Sequence, residues 1–392
     1  MNAGPGSPVQ PGADIVDAVR EQLARQGDQL TPERVAAAMR DRGRPVGGAA
    51  VLAVHDRLSA EVLGSGPLEP LLRTPGVTDV LVNGPDAVYL DRGGGLEHTE
   101  VRFADDEAVR RLAQRLAAQA GRRLDDASPW VDARMPDGTR LHAVLAPLAR
   151  PGTLISLRIP ARRTFTLEQL VSAGTLSVDA GRWVQRLVDA RVAFVVSGGT
   201  GSGKTTLLAT LLSRCHVDER LVIVEDATEL RPDHPHAVAL EARPANVEGA
   251  GLVTLRDLVR QALRMRPDRV VVGEVRGAEV VDLLAALNTG HEGGCGTVHA
   301  NSADDVPARF EALGVAAGLP RAAVHSQLAA GLEVVVHLGR DRSGVRRLEQ
   351  IGVLRPGADG LVHNVVALTF GGGVTEPGPG RDRLAALLDR ET

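Results

Sequence analysis

The sequence predicts an α/β protein in which a domain with a mainly parallel sheet follows a smaller α+β domain. In the second half, near-continuous apolar runs (AFVVSG, LVIVED, VVVGE, GTVHA) alternate with helical segments, as in buried parallel strands joined by helices. In the first half, short strands (VTDVLVNG, AVYLDR, LEHTEVRF) are separated by Gly, Asn and Asp turns, which is typical of an antiparallel sheet.

The first part of the chain divides into three predicted segments. Residues 1–48 combine a Gly/Pro-rich, disordered start with two helices, for which Asp14 and Thr31 are candidate N-caps. Residues 49–160 are expected to form the α+β domain, with an amphipathic helix in DDEAVRRLAQRLAAQAG and a hairpin in RMPDGTRLHAVLAPL. Residues 161–176 are polar and are interrupted by turn-forming residues, so we expect a linker with one short helix.

The second part is expected to hold the parallel sheet and a tail. Residues 177–370 carry the alternating strands and helices, to which EVVVHLGR, VRRLEQIGVLRP and LVHNVVALTF would add further strands. Residues 371–392 begin with GGGVTEPGPG, so we expect a flexible tail with a short terminal helix.

The composition excludes several classes of function. A net charge of −4 and eight aromatic residues provide neither the positive field nor the stacking platforms of nucleic-acid binding proteins, so no nucleic-acid partner is expected. Two cysteines, Cys215 and Cys295, make no disulfide framework and suit a reducing cytoplasm. No signal-peptide pattern opens the chain and no run of about 18 apolar residues occurs, so we expect a cytoplasmic protein without its own membrane helix.

One glycine-rich motif indicates the chemistry most directly. AFVVSGGTGSGKTTLLATLL contains a full match to G-x-x-x-x-G-K-[ST], between an apolar strand and a helix-forming run. Glycines let successive backbone N–H groups surround phosphates, and the helix that follows adds its positive N-terminal end. We therefore expect ATP and Mg²⁺, with nucleotide held by Gly198, Gly199, Thr200, Gly201, Ser202, Gly203, Lys204, Thr205 and Thr206.

Two residues of this motif have distinct expected roles. Lys204 would reach the β- and γ-phosphates, and the Thr205 hydroxyl would coordinate Mg²⁺. Lys204 is also the only lysine in a chain that otherwise uses arginine, which indicates that a compact ammonium is needed there. A chance glycine-rich turn is the alternative, and the strand, the helix and the lysine together disfavour it.

Two predicted strands end in acidic residues. An ATPase needs a carboxylate for Mg²⁺ and another to position or deprotonate the attacking water. Ligands of parallel α/β sheets lie beyond the carboxyl ends of the strands, so both acidic clusters would reach the nucleotide. Glu274 is expected to hold Mg²⁺ through water. Glu229 is the first choice for the base, and Glu225 is the alternative.

Together these motifs resemble those of the type II/type IV secretion ATPases. Four signatures occur in order: the P-loop, an aspartate box (VEDATE), a Walker B segment (GEVRGAE) and a histidine box (TGHEGGCGTVHANS). GSGPLEPLLRTPGVTDVLVNGP and VDARMPDGTRLHAVLAPL resemble the N-terminal domain of the tight-adherence (Tad/Flp) pilus branch, the CpaF-type motors. LRMRPDRVVVGEVRGAEVVDLLAALNTGHEGG is similar to that branch almost throughout, and the resemblance extends from about residue 60 to 345.

The resemblance implies a homohexameric ring of RecA-like P-loop NTPase domains, with nucleotide between the two domains and against the neighbouring subunit. It implies a motor ATPase that powers Tad/Flp-type pilus assembly or type II/IV secretion, docked on inner-membrane platform proteins at the cytoplasmic face. A conjugative type IV secretion ATPase is the alternative. The tetracysteine zinc module of general-secretion motors has no counterpart among the two cysteines of this chain.

The resemblance also implies roles for individual residues. Glu229 matches the catalytic glutamate of the family and Glu274 its Walker B glutamate. Arg134 and Arg140 match N-terminal-domain arginines that extend toward the phosphates, where cations neutralise charge on the transferred phosphoryl group. Arg276 is either a further cation of the site or half of an internal salt bridge.

The histidine box admits two interpretations. His291, Cys295 and His299 are spaced by four residues, so an unbroken helix would place them on one face, as at a zinc site. The intervening glycines disfavour that helix and GTVHA predicts a strand, so no zinc is expected. The resemblance instead implies that His291 and His299 sense the γ-phosphate state. A structural role for His291 is the alternative.

Two other classes of function compete with a motor ATPase. The first is a nucleic-acid motor with a RecA-like core, which the net charge, the few aromatic residues and the aspartate and histidine boxes oppose. The second is a scaffold whose P-loop binds nucleotide without hydrolysing it, which the two acidic strand ends oppose.

Overall fold

The structure is a computed structural model with two compact units that divide after Pro160. It describes residues 31–41, 47–48, 50–52, 54–55, 64–160, 164–243, 245, 249–288, 293–340, 344–371 and 373–390. Asp14 and His291 therefore lie outside the described residues. Among the described helices, none is both long and apolar enough to cross a bilayer.

The first unit is an α+β arrangement around one antiparallel sheet. Its sheet has the order β3-β2-β1-β6-β5-β4. Its helices are α1 (Pro32–Arg40), α2 (Glu69–Leu72) and α3 (Asp106–Gln119), and its strands are β1 (Asp79–Asn83), β2 (Val88–Asp91), β3 (Leu96–His98), β4 (Trp130–Arg134), β5 (Arg140–Val144) and β6 (Leu154–Arg158).

Two helix starts of this unit follow from side-chain caps. Thr31 caps α1, since its hydroxyl accepts a hydrogen bond from the Arg34 amide at 3.5 Å. Asp105 caps α3 by accepting from the Ala108 amide at 2.7 Å. Helix α3 then buries a single stripe in the same core as the inward-facing strand residues, made of Val109, Leu112, Ala113, Leu116 and Ala117. The predicted amphipathic helix is therefore present.

The second unit contains the larger sheet. Its helices are α4 (Leu167–Ser172), α5 (Val178–Asp189), α6 (Lys204–Leu212), α7 (Leu255–Ala262), α8 (Glu279–Leu287), α9 (Val306–Ala316), α10 (Arg321–Gly331) and α11 (Arg381–Leu388). Its strands are β7 (Phe194–Gly198), β8 (Leu221–Glu225), β9 (Ala237–Glu241), β10 (Arg269–Val275), β11 (Cys295–His299), β12 (Val334–Arg340), β13 (Arg346–Pro356), β14 (Val362–Gly371) and β15 (Val374–Pro377).

The strand order of this sheet positions the site. It reads β15-β14-β13-β12-β7-β11-β10-β8-β9, and the six strands from β12 to β9 run parallel. Two apolar clusters cover its faces, which explains why these strands read as continuous apolar runs. Because the six strands are parallel, the residues that follow β7, β10, β11 and β8 meet at one carboxyl edge.

Strand β12 lies inside the sheet, next to the central strand β7, instead of being appended to its edge. Val336 pairs with Val196, and the Ser197 hydroxyl lies 2.9 Å from Nδ1 of the buried His337. Chain order does not reveal this placement, because the connection from β11 to β12, which contains helices α9 and α10, carries the chain across β7.

The carboxyl-terminal residues correct a second expectation. Residues 371–392 were expected to be a flexible tail with a short terminal helix; the helix is present as α11, but it packs on the core and the segment before it forms β15. Leu384 and Leu387 of α11 are buried in the main core, and the Arg390 guanidinium donates to Glu333 Oε1 at 2.5 Å. Glycine and proline in the preceding segment mark turns, while the apolar spacing of the helix decides that it packs.

The expected linker also packs on the second unit. Leu167 and Leu170 of α4 and the following Leu176 are buried in its core. The Thr210 hydroxyl of α6 donates to the Phe165 carbonyl at 2.9 Å, which fixes the approach to α4. The described part of this segment is therefore a structural part of the second unit.

Candidate active site

The phosphate-binding loop joins β7, which ends at Gly198, to α6, which begins at Lys204. The predicted residues Gly198 to Thr206 are thus contiguous at the carboxyl edge of the sheet. Gly198 has φ 152°, and a Cβ there would collide with the Leu338 carbonyl oxygen and lie 2.6 Å from Ser202 Oγ. Gly203 is the left-handed N-cap of α6, at φ 96°. The loop backbone and the amino end of α6 together suit an anion.

Lys204 is 7% exposed and its ammonium lies within this loop. Nζ donates to the carbonyl oxygens of Gly198 at 3.1 Å and Gly199 at 2.9 Å. Burial lowers the pKa of Lys204, and the nearby Glu274 carboxylate partly opposes that effect. The only lysine ammonium of the sequence is therefore positioned by the loop that would surround phosphates.

A chain of three charged or polar groups links the loop to β10 and β11. His299 Nε2 lies 3.4 Å from Lys204 Nζ and 3.1 Å from Glu274 Oε1. Burial and the Lys204 cation lower the pKa of His299, against the opposing effect of Glu274. The neutral imidazole then has one proton to share, and an Nε2–H tautomer donates it to Glu274. His299 thus hydrogen-bonds the predicted Mg²⁺ carboxylate and lies beside the predicted phosphate ligand.

The two glutamates after β8 have different environments. Glu225 is 5% exposed, and its Oε1 accepts from the backbone amides of Glu229 and Leu230, both at 3.1 Å. It packs against the Gly273 backbone, where an added Cβ would lie 2.5 Å from Glu225 Cγ. Glu229 is exposed on the turn that Glu225 holds. The structure therefore places Glu225 in a supporting position and leaves the Glu229 carboxylate accessible to solvent.

The segment after Glu274 contains a supporting carboxylate that sequence reasoning missed. Glu279 is 5% exposed, and its Oε1 accepts from the backbone amides of Arg276 and Gly277, both at 2.7 Å. The Arg276 side chain forms an ion pair with Asp226. Of the two roles expected for Arg276, the structure therefore shows the internal salt bridge. The second acid of GEVRGAE, at the first turn of α8, was the signal available in the sequence.

Arg134 and Arg140 belong to the first unit. They are directly opposite each other at the end of the β4–β5 hairpin, and Arg140 Nη2 donates to Asp132 Oδ2 at 3.1 Å. Like charges at directly opposed positions of two strands repel each other. Asp132 and Asp137 of the same hairpin offset these two positive charges.

The histidine box is not a helix where the structure describes it. Gly293 has φ 74°, and β11 runs from Cys295 to His299. Cys295 and His299 are four residue steps apart along the strand, about 13 Å, which is too far for one zinc ion to bond both side chains. Burial raises the pKa of both Cys215, to about 11, and Cys295, which disfavours the thiolates that zinc requires. Within the described residues, no group of three or more His, Cys, Asp or Glu could hold a metal ion.

The donor chemistry of the predicted Mg²⁺ site is suitable. Thr205 lies in the first turn of α6 and Glu274 near the carboxyl end of β10, so both present oxygen ligands at the edge that carries the loop. Mg²⁺ prefers oxygen ligands and is usually bound by one or two protein groups together with substrate phosphates. A pair of oxygen donors beside a phosphate-binding loop fits that pattern.

Comparison with known proteins identifies the family. The model of the family "Type II/IV secretion system protein" matches residues 61–351. A protein named "Putative conjugal transfer protein" from Mycobacterium tuberculosis (strain H37Rv) is 60% identical over 326 residues, 82% of this chain and 92% of that protein. The type IV secretion system protein VirB11 of Brucella suis is 32% identical over 263 residues, 61% of this chain and 73% of that protein.

A solved structure supports the fold. The X-ray structure of the Legionella pneumophila ATPase DotB matches with a TM-score of 0.51 and 19% identity, over 76% of this chain and 82% of that one. The RecA-like fold predicted for the second unit is therefore confirmed. Since the family model covers well over half of the sequence, the chain belongs to the type II/IV secretion ATPase family.

Proposed function

We propose that this protein is a motor ATPase that binds Mg²⁺ and ATP and hydrolyses ATP to drive a pilus or secretion machine of the cell envelope. The observation that carries the proposal is the connected group Lys204–His299–Glu274 beside the phosphate-binding loop. It would provide a phosphate ligand, a histidine that senses the phosphate and a Mg²⁺ carboxylate at one sheet edge. Hydrolysis of ATP by the purified protein, measured as phosphate release, is the direct test.

Each acidic residue has a proposed role that its environment supports. Glu274 orients Mg²⁺ through water with the Thr205 hydroxyl, and the ion would neutralise charge on the phosphates. Glu229, exposed on its turn, positions or deprotonates the attacking water. Glu225 and Glu279 hold the turns on which these groups lie, since each carboxylate accepts two backbone amides.

The arginine pair of the first unit completes the proposed charge balance. The family resemblance matches Arg134 and Arg140 to N-terminal-domain arginines that extend toward the phosphates, and the two lie opposite each other on neighbouring strands. We propose on that resemblance that both arginines neutralise the charge that the transferred phosphoryl group gains in the transition state. Removal of either arginine should then lower kcat more than it weakens nucleotide binding.

The histidine box is proposed to report the state of the nucleotide. His299 contacts both Lys204 and Glu274, so a change at the γ-phosphate would alter its hydrogen bonds. His291 is assigned to the same sensing role only through the family resemblance. Replacement of His299 by Asn should uncouple hydrolysis from movement while nucleotide still binds.

We propose a homohexameric ring that docks on inner-membrane platform proteins at the cytoplasmic face of the membrane. The names of the relatives support work within secretion machines, of which VirB11 is described as a type IV component. Mass measurement with and without a non-hydrolysable ATP analogue tests the ring: a hexamer that the analogue stabilises is expected, and a monomer under both conditions contradicts it.

Two kinds of machine are candidates for the one that this ATPase drives. Tad/Flp pilus assembly follows from the motif resemblance, whereas the name of the 60% identical relative favours conjugal transfer. Deletion of the gene in its host separates them. Loss of surface pili with unchanged DNA transfer supports pilus assembly, and loss of DNA transfer with pili intact supports conjugation. The identity of neighbouring genes for pilin or platform proteins gives an independent answer.

A nucleic-acid motor and a non-hydrolysing scaffold are the competing functions. Stimulation of ATP hydrolysis by DNA would favour the nucleic-acid motor over the membrane-docked one. Unchanged hydrolysis in Glu229→Gln would remove the proposed role of Glu229. Binding of ATP without hydrolysis by the assembled wild-type protein would favour the non-hydrolysing scaffold as the function.

A further inference from the structure

Two arginines of the β12–β13 pair lie against the phosphate-binding loop. A Cβ built on Gly201 would lie 3.8 Å from Arg340 Nη1, and one built on Gly203 would lie 3.5 Å from Arg346 Cδ. Both arginines belong to the same compact unit as the loop. Neither was among the residues that the motifs single out, because neither belongs to one of the four boxes.

The register explains how these side chains reach the loop. Leu338 of β12 pairs with Gly198, the last residue of β7, so β12 continues for two residues beyond the start of the loop. Arg340 is the last residue of β12 and pairs with Arg346, the first residue of β13. Nε of Arg340 donates to the Gly344 carbonyl at 2.9 Å, which fixes the plane of its guanidinium. The Arg340–Arg346 pair therefore lies beyond the end of β7, next to the phosphate-binding loop.

The charges of this pair favour an anion. Arg340 and Arg346 are exposed and directly opposed on neighbouring antiparallel strands, where like charges repel. A phosphate between or beside them would relieve that repulsion. Guanidinium groups form paired hydrogen bonds with phosphate oxygens, so arginine suits this contact.

The sheet order indicates which part of a nucleotide would meet the pair. Strands β11, β10 and β8, with His299, Glu274 and Glu225, lie on one flank of β7, and β12 and β13 lie on the other. A nucleotide whose γ-phosphate faces Glu274 and His299 extends its α-phosphate and ribose toward the opposite flank. We propose that Arg340 and Arg346 bind the α- and β-phosphates, as additional nucleotide-binding residues within the same subunit. The proposal rests on the nucleotide binding proposed above.

This position has a specific kinetic consequence. The α- and β-phosphates are present in both ATP and ADP and are not transferred, so these contacts stabilise bound substrate, product and transition state alike. Loss of such uniform binding raises Kd and KM and leaves kcat unchanged. The signature differs from that of Glu229, whose loss should lower kcat.

The experiment measures binding of ADP and of AMP-PNP, each with Mg²⁺, by titration calorimetry. Arg340→Ala and Arg346→Ala should each bind both nucleotides about tenfold more weakly, the factor expected for one lost charge-assisted hydrogen bond. Their kcat at saturating ATP should equal that of the wild type. Arg346→Lys, which keeps the charge without the paired donors, should fall between wild type and Arg346→Ala.

The matched control is Arg355→Ala. Arg355 is an exposed arginine near the far end of β13, about 30 Å from Arg346 along the strand, and its removal should change neither Kd nor kcat. Thermal melts of all variants that coincide with wild type establish that the fold is intact.

The outcomes separate this proposal from the proposed function. Wild-type Kd values in Arg340→Ala and Arg346→Ala, together with lost binding in Lys204→Ala, overturn the arginine proposal and leave the ATPase standing. A lower kcat with unchanged Kd also overturns it, because the arginines would then act on the γ-phosphoryl group. No binding of either nucleotide by the wild type contradicts the proposed function itself.

Discussion

The two ends of strands β10 and β11 carry charged or ionisable residues in opposite environments. At the amino ends, Arg269 is 1% and Cys295 2% exposed. At the carboxyl ends, the side chains of Glu274 and His299 are 38% and 40% exposed. Along the same two strands, the residues at the amino ends are therefore closed to solvent, whereas those at the carboxyl ends are open to solvent and to a ligand.

The amino ends satisfy their charges within the chain. Arg269 Nη2 donates to Glu219 Oε1 at 3.1 Å and to the Val188 carbonyl at 2.7 Å. Burial opposes ionisation of Glu219, but hydrogen bonding and attraction from Arg269 hold its pKa below the ordinary value. Gly293 leaves the space that Arg269 occupies, since an added Cβ would lie 2.7 Å from Nη1.

The difference teaches how to separate charges that stabilise the fold from charges that act on a ligand. Arg269 and Glu219 have matched partners and little access to water, so their loss should cost stability. Lys204, His299 and Glu274 share contacts of 3.1 to 3.4 Å at the sheet edge beside the loop, so their loss should cost binding or turnover. Four changes test this separation.

Glu229→Gln should have the largest effect and should act on turnover. The exposed amide keeps the shape of the side chain but is not a base, so kcat should fall by about a hundred- to ten-thousandfold with ATP still bound. Single-turnover phosphate release and nucleotide titration measure the two properties. Glu225→Gln is the control, expected to alter stability more than kcat. The assignment of the two residues is reversed if Glu225→Gln alone abolishes turnover.

Arg269→Met should destabilise the fold without weakening nucleotide binding in the protein that remains folded. Glu219 would stay buried without its cation, a loss of about 3–5 kcal/mol in the free energy of unfolding. Urea unfolding measures it. The double variant Arg269→Met with Glu219→Leu should regain most of the loss, because no unpaired charge remains. Equal instability of the single and double variants would show that packing dominates over charge.

Lys204→Ala should remove nucleotide binding and hydrolysis. The loss of one positioned cation at the phosphates corresponds to a decrease of about a hundred- to a thousandfold in kcat/KM. The melting temperature should change little, since the Lys204 ammonium bonds to carbonyls of the loop and lies beside His299. A large fall in melting temperature would instead assign Lys204 to the closed, stabilising class.

Acidification should have the smallest effect. Burial lowers the pKa of His337 from its ordinary value of 6.5, against nearby Glu349 and Asp305. Between the lowered value and 6.5 the unfolded chain binds more protons, so the free energy of unfolding falls as pH decreases below 6.5. His299 contributes in the same direction. Urea unfolding at several pH values should show a flatter slope in His337→Asn than in wild type, and identical slopes would contradict it.

The fold was predictable where one local pattern determined it. The apolar runs of β7, β8, β10 and β11 and the stripe of α3 followed from periodicity alone. The place of β12 beside β7 and the packing of α11 did not, because both depend on contacts between residues far apart in sequence. Glycine and proline before α11 suggested flexibility that its buried leucines override.

The sequence predicted which residues form the site, but it did not predict how buried each one is or which groups it hydrogen-bonds. The motifs named Lys204, Glu274 and His299, and the structure brings these three together. Sequence could not distinguish Glu225 from Glu229, since burial and hydrogen bonding to backbone amides are tertiary properties. Arg340 and Arg346 were missed for the same reason, because only the strand register brings them to the loop.

The buried Lys204 also makes the protein suited to selective covalent labelling. It is the only lysine of the sequence, so an amine-reactive reagent has one side-chain target besides the chain terminus. Its lowered pKa increases the fraction of neutral amine, the nucleophilic form. An acyl-phosphate derivative of ATP would transfer its acyl group to this amine and release the nucleotide. Mass spectrometry of intact subunits would then count occupied sites one by one, including their number in an assembled ring.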